Sequence, residues 1–421
     1  MSCNDENNVI IENTQKGLLQ TLDIAVTESE NRKTEVSFGL WDNHTVYLVE
    51  SNSKCNSNPL GDGRVLELLG PSKEKAVWRR YSDFENFHKY LETAYPFIVI
   101  PPLPEKRVLH AWQKLTVDKY DTDFIDRRRA GLEKFLLRVA AHPLLSRDSV
   151  FKNFLQEENL QKVVTTERQI KKATSTHNLR IVNFSADLRN PNRNIRETKI
   201  YGNELYLTLS NLLKVRTKLA DREYGIHKLH ENYGRVFSEW PIVEKQMTNE
   251  LQSAGHYMDV YSVSIDSLLD EEEEFIDQIK EYTFFAESLK CVCNFLEMKQ
   301  HEIEQIEDII TSKRSEQQLA KDRRHSLVSK VFGRSTDSDS KYNSRFNELD
   351  LELKTLEAEM VHVKEEEKHI CHKALVDIAR FQQQKVIDLK EALICYIVFR
   401  IKMFRQGLLI WKNIQESFTK L

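Results

Sequence analysis

Residues 78–84 read WRRYSDF, and two further basic stretches follow: PPLPEKR at 101–107 and IDRRRAGL at 125–132. The first ends a segment of β character, the second is a proline-rich loop, and the third enters a helical segment. Arginine matches phosphate oxygens two at a time, and lysine supplies a point charge. The ring of Tyr81 can lie against a sugar-like ring while its hydroxyl makes a hydrogen bond. The three stretches therefore predict a phosphate-binding site.

Apolar residues are interleaved with basic ones directly after the proline-rich loop. Val108, Leu109 and Trp112 lie between Lys106 and Lys114. This composition is typical of a segment that enters a membrane interface. We therefore predict that Val108, Leu109 and Trp112 form a membrane-inserting loop.

The composition limits the class of protein. The chain has 421 residues, which suggests two or three domains at ~100–200 residues each. Its 12 glycines and 9 prolines are too few for an all-β protein with many tight turns. The six cysteines follow no repeating framework, so we expect free thiols in a reducing cytosol. Because the net charge is −4, any basic binding surface must be local.

The chain changes character along its length. The front third combines β-type segments near 18–26, 36–40, 45–50 and 76–81 with helical segments, and no proline follows Pro241. Proline interrupts helix interiors at a cost of ~3 kcal/mol, so the proline-free remainder permits very long helices. We predict a disordered N-terminus at 1–15, an α+β domain at 16–157, a polar basic linker at 158–196 and a helical region at 197–421.

The linker combines basic and apolar residues. They are Arg168, Lys171, Lys172, Arg180, Arg189 and Arg193, with Ile170, Leu179, Ile181, Val182 and Phe184. An amphipathic helix of this composition would lie in a membrane interface. The alternative is a plain tether that packs on the helical region, and the residues alone leave both open.

The helical region carries an apolar residue at every seventh position. These residues are Leu205, Leu212, Leu219, Ile226, Tyr233 and Trp240. A second stripe contains Leu209 and Phe237 and is interrupted by Arg216, Glu223 and His230. Such a repeat predicts a helix packed along its length against others. We expect three rods at about 197–247, 251–324 and 342–420, with Trp240–Pro241 marking a kink or the end of the first.

The third rod is apolar on most sides near 392–404, so this stretch is predicted to be buried all round. A helix of ~70 residues is ~105 Å long, and no compact core needs such a rod. We therefore predict an elongated bundle that forms a dimer, whose partner covers the surplus apolar face.

A basic and apolar cluster lies at the junction of the second and third rods. It contains Lys321, Arg323, Arg324, Lys330, Val331 and Phe332. At the tip of an elongated dimer, each basic residue would contribute ~1 kcal/mol to binding anionic lipid. We predict shallow insertion here, and a solvated disordered loop is the alternative.

Other charged residues have plainer interpretations. We expect Arg79 to be a surface or strand-pairing residue, and Arg127 and Arg129 to be solvated or membrane-facing. The run Glu271–Glu274 is expected to be a solvated face. No nucleotide-binding fingerprint or supported acid/base pair occurs, so we predict no enzymatic activity and no cofactor. His369 and His372 share one helix face without further ligands, so we predict no metal site.

Three separated motifs resemble those of the PX (phox-homology) domain: RRYSDF, PPLPEK and the basic run before GLEKFL. The resemblance implies that Arg80 holds a 3-phosphate, Tyr81 stacks on an inositol ring and Ser82 adds a phosphate contact. It also implies that Lys106 meets the 1-phosphate and that Arg128 bonds the 4- and 5-hydroxyls. The implied ligand is phosphatidylinositol 3-phosphate.

Longer segments resemble the PX-BAR sorting nexins, namely 220–225 (ADREYG), 232–240 (NYGRVFSEW), 251–261 (LQSAGHYMDVY) and 388–393 (DLKEAL). The resemblance implies an α+β PX domain, with a three-stranded sheet plus helices, followed by an all-α three-helix BAR bundle. It further implies a crescent-shaped dimer on the cytosolic face of early and recycling endosomes, in cargo recycling and autophagy. The implied partners are a second copy or another PX-BAR sorting nexin, with cargo or motor adaptors and no nucleic acid.

A rival interpretation is a coiled-coil scaffold or tether whose main ligands are proteins, with lipid only localising it. Basic residues clustered on the concave face of the dimer would favour curvature binding. Acidic residues there would favour the scaffold.

Overall fold

The computed structural model describes residues 18–36, 40–53, 75–106, 122–158, 187–328 and 336–419. These residues form a sheet-and-helix domain followed by long helices. Among the helices in these ranges, none combines the length and the apolar character that crossing a membrane requires.

The sheet has three antiparallel strands, in the order β1 (Leu22–Val36), β2 (Leu40–Ser53) and β3 (Lys75–Arg80). Leu22, Ile24 and Val26 are buried, as expected for a strand with one face on a core. The β-type segment predicted near 36–40 is not a separate strand, because Val36 ends β1 and Leu40 begins β2. Strand β1 continues through a polar stretch, so hydrophobicity could not reveal its full length.

Three α-helices pack with the sheet in the described part of this domain: α1 (Tyr81–Ala94), α2 (Thr122–Ala141) and α3 (Ser149–Gln156). Their buried aromatic residues pack together with the apolar side chains of the sheet. Phe87 stacks on Phe154 at 4.9 Å between ring centroids, and Phe84 meets Phe154 edge-on at 5.0 Å. Such pairs stabilise a core by about 0.5–1.5 kcal/mol beyond the burial of their area.

Arg79 lies in this core and is only 1% exposed. It pairs with Tyr47 across the sheet, and its guanidinium donates to the carbonyl oxygens of Phe154 (2.7 Å) and Glu157 at the end of α3. Helix C-termini leave carbonyl groups without intrahelical partners, and a cation satisfies them. The expected strand pairing is present, but a surface position for Arg79 is wrong.

Four helices form the remainder of the described chain: α4 (Arg193–Glu239), α5 (Thr248–Glu271), α6 (Glu273–Val328) and α7 (Thr336–Thr419). Helix α4 stops at Glu239, before a short 3-10 turn over Trp240–Ile242. Pro241 therefore ends the first rod, which is shorter than the predicted span to 247. The second rod, predicted as one helix over 251–324, is two helices that break at Glu272.

The break between α5 and α6 is held by buried charges. Glu272 is 1% exposed and pairs with Arg216 of α4, which also lies 3.3 Å from Glu223. Arg400 of α7 pairs with the other carboxylate oxygen of Glu223. Buried charges are tolerated only when they are paired. The expected solvated face over Glu271–Glu274 is therefore wrong for Glu272, whose partner lies 56 residues away in the chain.

Most of the apolar stripe that begins on α4 faces outward in the single chain, although Leu205 packs against the core of the bundle. The exposed residues of this stripe are Leu212, Leu219, Ile226, Tyr233 and Trp240, whereas the second stripe packs against the other helices.

The prediction that 392–404 is buried all round is also wrong for the single chain. Of its apolar residues, Phe399 is buried, while the exposed ones are Leu393, Ile394, Ile397, Val398, Ile401 and Phe404.

The two parts of the chain dock through Asp377 of α7. Its carboxylate accepts the N–H of Val99 (2.9 Å) and faces Nε2 of His142 (2.8 Å). The other ring nitrogen, Nδ1, accepts the N–H groups of Leu144 and Leu145, so the imidazole proton is on Nε2 and is donated to Asp377. Burial lowers the pKa of His142, which keeps the ring neutral.

A second docking contact centres on Arg138 of α2. Its guanidinium binds Glu281 of α6 (2.9 Å) and Asp388 of α7 (2.6 Å). Asp388 also accepts the hydroxyl of Tyr282 (2.6 Å), and Lys134 lies 2.9 Å from Glu281. The domain is therefore joined to the helices by partly buried ion pairs in addition to apolar packing.

Candidate functional site

Tyr81 is the residue around which the three predicted stretches meet. Its hydroxyl donates to the carbonyl oxygen of Pro104 (2.6 Å). The ammonium of Lys106 lies 5.9 Å from its ring centroid, and the guanidinium carbon of Arg128 lies 4.8 Å from it. Burial, together with the charge of Glu85, raises the pKa of Tyr81 to about 12, so the phenol remains a donor.

The start of helix α1 positions two more predicted residues. Arg80 ends β3, and its N–H donates to the Asp83 carboxylate (2.8 Å), which fixes the strand-to-helix turn. Ser82 is exposed in the first turn of α1. A helix N-terminus presents free N–H groups and partial positive charge, which favour an anion. The turn therefore places Arg80 and Ser82 where a phosphate is electrostatically favoured.

Lys106 is held by a carboxylate. Its ammonium lies 2.8 Å from Glu85, which is one helical turn beyond Tyr81 on α1. The Lys106 side chain is 66% exposed, so solvent and ligands reach it. A phosphate group at this position would compete with Glu85 for the ammonium.

Arg128 lies between two aromatic rings. Its guanidinium carbon is 4.8 Å from the Tyr81 ring centroid and 4.2 Å from that of Phe124. One terminal nitrogen donates to the carbonyl of Lys106, whereas Nε is buried with no hydrogen-bond partner. The Tyr47 hydroxyl is likewise buried and unpartnered, and burial raises its pKa while the nearby Arg128 charge opposes that rise.

Phe124 and Tyr47 were not among the predicted site residues. Phe124 precedes Arg128 by four positions on one helix, so helical spacing could have indicated their contact. Tyr47 comes from β2, and no local signal in the sequence places its hydroxyl beside Arg128.

Gly131 permits a close approach of the proline-rich loop to α2. A Cβ atom at Gly131 would lie 2.7 Å from Cβ and 3.1 Å from Cγ of Pro104. Real carbon atoms in contact are about 3.5–4.0 Å apart, so only glycine fits here without displacement. The glycine of the third motif therefore sets the distance between the Lys106 loop and the Arg128 helix.

The neighbours of Arg128 make contacts within the protein. Arg127 pairs with Glu273 of α6, and Arg129 donates to the carbonyl oxygen of Val26 (2.6 Å). The expectation that both are solvated or membrane-facing is therefore wrong. Their partners lie in distant parts of the chain, which is why the local sequence did not reveal them.

The predicted membrane contacts fall mostly outside the described residues. The residues outside the described ranges are Val108, Leu109, Trp112, Lys330, Val331 and Phe332. Arg323 and Arg324 belong to the backbone of α6, and the Lys321 ammonium lies 5.3 Å from the ring centroid of Phe346. The apolar residues predicted for the linker also lie outside, while Arg189 at its end pairs with Asp308 of α6 (2.6 Å). Insertion of these segments remains a prediction.

A comparison with protein families agrees with this geometry. The sequence model of the family described as "PX domain" matches residues 68–158, which include all five predicted headgroup residues. The fold and the site thus define a PX domain joined to a long helical region. A PX domain implies binding of a phosphoinositide.

Comparison with curated proteins gives relatives that extend beyond the PX domain. Sorting nexin-4 of Bos taurus is 41% identical over 409 residues, covering 96% of this chain and 88% of the relative. Sorting nexin-4 of Homo sapiens is 40% identical with the same coverage, and that of Saccharomyces cerevisiae is 23% identical over 390 residues. The chain therefore belongs to the sorting nexin family, which confirms the resemblance seen in the sequence.

A solved structure extends the similarity to the fold. The chain is similar to that in "The cryo-EM structure of the SNX-BAR Mvp1 tetramer", with a TM-score of 0.52 and 18% identity. The match covers 93% of this chain and 99% of the other. At this identity the likeness establishes the fold alone, and it confirms the predicted PX domain followed by a BAR-type helical bundle. Family membership gives the chain a role in membrane-associated trafficking.

Proposed function

We propose that this protein is a non-catalytic peripheral membrane protein that binds phosphatidylinositol 3-phosphate on the cytosolic face of early and recycling endosomes. Its helical bundle dimerises and senses or shapes curved membrane. It acts in endosomal sorting, recycling of cargo and autophagy-related transport. The observation that carries the proposal is the grouping of Lys106 and Arg128 around the ring of Tyr81.

The chemistry of the site supports an inositol headgroup that carries a phosphate. An aromatic ring offers a face to a sugar-like ring, and two cations beside it match anionic or hydroxyl oxygens. Arg80 is proposed to hold the 3-phosphate with help from Ser82, while Lys106 takes the 1-phosphate. Arg128, with its unpartnered buried Nε, is proposed to bond the 4- and 5-hydroxyls.

Dimerisation is supported by the apolar residues that the single chain leaves exposed. The stripe on α4 and the residues near 392–404 on α7 are large, apolar and in contact with solvent. Large exposed apolar patches on a soluble chain mark interaction sites. The proposed occupant is a second copy or another PX-BAR sorting nexin, and the similar solved protein, Mvp1, is a tetramer.

A dimer would strengthen weak lipid contacts. One headgroup site gives specificity with modest affinity, whereas two sites on one rigid scaffold make the second binding event intramolecular. Basic contacts along the bundle would then add only where the shape of the membrane matches that of the dimer.

The headgroup assignment is tested by calorimetric titration of the full chain with soluble short-chain phosphatidylinositol 3-phosphate. Arg80→Ala and Arg128→Ala should each lower the affinity about tenfold or more, because each removes a charged hydrogen-bonding group. Arg235→Ala removes an exposed cation on α4 and is the matched control. Wild-type affinity in both site variants would refute the assignment and favour the protein-binding scaffold.

The dimer is tested separately by light scattering, which measures the mass of the complex. Ile397→Asp places a charge in the exposed apolar stretch of α7 and should convert the dimer to a monomer of about half the mass. A wild-type chain that is monomeric alone and dimeric only when mixed with another PX-BAR sorting nexin would identify the heterodimer.

A further inference from the structure

Two ion pairs connect the headgroup site to the helical bundle. Glu105, which directly precedes Lys106, lies 3.1 Å from the ammonium of Lys280 on α6. Arg127, which directly precedes Arg128, pairs with Glu273 at the start of the same helix. Each of the two cations that face Tyr81 therefore directly follows a residue that forms an ion pair with α6. We call Glu273 and Lys280, the α6 members of these pairs, the anchors.

The two anchors belong to one rigid element. Glu273 and Lys280 are seven residues apart, which is two turns and ~10.5 Å along a helix, so they lie on the same face. One helical segment thus contacts both the proline-rich loop and helix α2. A change in the distance between these two segments would change the separation of Lys106 and Arg128.

Both ion pairs are partly shielded from solvent. The side chains of Lys280 and Glu273 are 15% and 17% exposed, and those of Glu105 and Arg127 are each 27% exposed. All four line a cleft of about 980 Å³ between the PX domain and the bundle. Ion pairs in such surroundings are less screened than those on an open surface, so they hold their geometry better.

Other contacts keep the two domains docked when one of these pairs is removed. The hydrogen bonds at Asp377 and the ion pairs of Arg138 involve none of the four residues. Val99 is also buried in the apolar cluster of the bundle. Loss of either anchor should therefore loosen one segment of the site without separating the domains.

We propose that Glu273 and Lys280 are positioning residues for the headgroup site, so that the lipid affinity of the PX domain depends on a helix of the bundle. The inference rests on the proposed function, because it concerns the same headgroup site. By linkage, if the headgroup binds more tightly when the two domains are docked than when they are apart, its binding also stabilises the docked arrangement.

The test is a titration of the full chain with soluble short-chain phosphatidylinositol 3-phosphate, using Glu273→Gln and Lys280→Met. Each variant should bind about twofold to thirtyfold more weakly, the range expected when a residue acts on a site through another. Lys280→Arg keeps the charge and should bind like the wild type. Glu302→Gln is the matched control, since it removes a carboxylate of α6 that pairs with Lys299 within the helix.

Glu273→Gln separates positioning from simple electrostatics. Removal of a negative charge near an anionic ligand should raise the affinity if Glu273 acts only through its field, whereas loss of positioning lowers it. Equal or tighter binding by Glu273→Gln, in a protein with wild-type circular dichroism and mass, would overturn the inference. Unchanged binding by Lys280→Met would do so independently, whereas a wild-type chain that does not bind the headgroup would refute the proposed function instead.

Discussion

Substitution of Gly131 by alanine tests whether the distance between the Lys106 loop and the Arg128 helix depends on the absence of a side chain at this position. The added Cβ would lie 2.7 Å from Cβ of Pro104. The proline ring cannot rotate away as a flexible side chain would, so the loop or the helix must move. Because contacting carbons are about 3.5–4.0 Å apart, the required displacement is about 1 Å.

A shift of this size has a predictable effect on the site. The hydrogen bond from the Tyr81 hydroxyl to the Pro104 carbonyl is 2.6 Å long. Lengthened by ~1 Å, it falls outside the ~2.5–3.0 Å range of such bonds. Lys106, two residues further on, moves with the loop. Loss of one well-placed charged contact costs about 1.5–3 kcal/mol, which corresponds to roughly 10- to 150-fold in headgroup affinity.

The assay is calorimetric titration of full-length Gly131→Ala with soluble short-chain phosphatidylinositol 3-phosphate. Gly225→Ala is the matched control, because a Cβ at this helical glycine meets no atom within 4 Å. That control should bind normally and be slightly stabilised, since alanine favours helix by about 0.5–1 kcal/mol over glycine. Wild-type affinity in Gly131→Ala would show that the close approach to Pro104 does not position the site.

Three further predictions concern other residues of the PX domain. Glu85→Gln should raise headgroup affinity about twofold to fivefold in the same titration, because it removes an ion pair of up to about 1 kcal/mol that competes with the phosphate for Lys106. Arg79→Met should lower the free energy of unfolding by about 1–3 kcal/mol in urea, because it leaves carbonyl groups at the end of α3 without donors. The third concerns His142, whose pKa is lowered from 6.5, so that the unfolded chain binds the proton more readily and stability falls as the pH drops below 6.5. Thermal unfolding at pH 7.5 and 5.5 should show this loss, and it should be smaller in His142→Gln; equal pH dependence in both proteins would contradict it.

The parts of the site that lie in local motifs could be predicted from the sequence. Arg80, Tyr81 and Ser82 are consecutive at a strand-to-helix turn, and Arg128 follows a helical pattern, so neighbouring residues defined their surroundings. The structure brings Tyr81, Lys106 and Arg128 together as the motifs indicated. Their individual roles in binding a headgroup stay predictions.

The errors arose where a residue's surroundings come from distant segments. Arg79 and Glu272 are charged, so their local sequence suggests solvent, yet each meets partners far along the chain. The exposed apolar residues near 392–404 show the opposite problem. Their hydrophobicity indicates burial, but the surface that would cover them in the proposed dimer belongs to another chain.

The most direct test is flotation of the full chain with liposomes that contain either phosphatidylinositol 3-phosphate or the same amount of phosphatidylinositol. We expect the wild type to float only with the phosphorylated lipid, and Arg80→Ala to remain in the unbound fraction with both. Equal flotation of both proteins, or equal binding of the wild type to the two lipids, would contradict a PX domain that recognises the 3-phosphate of the headgroup.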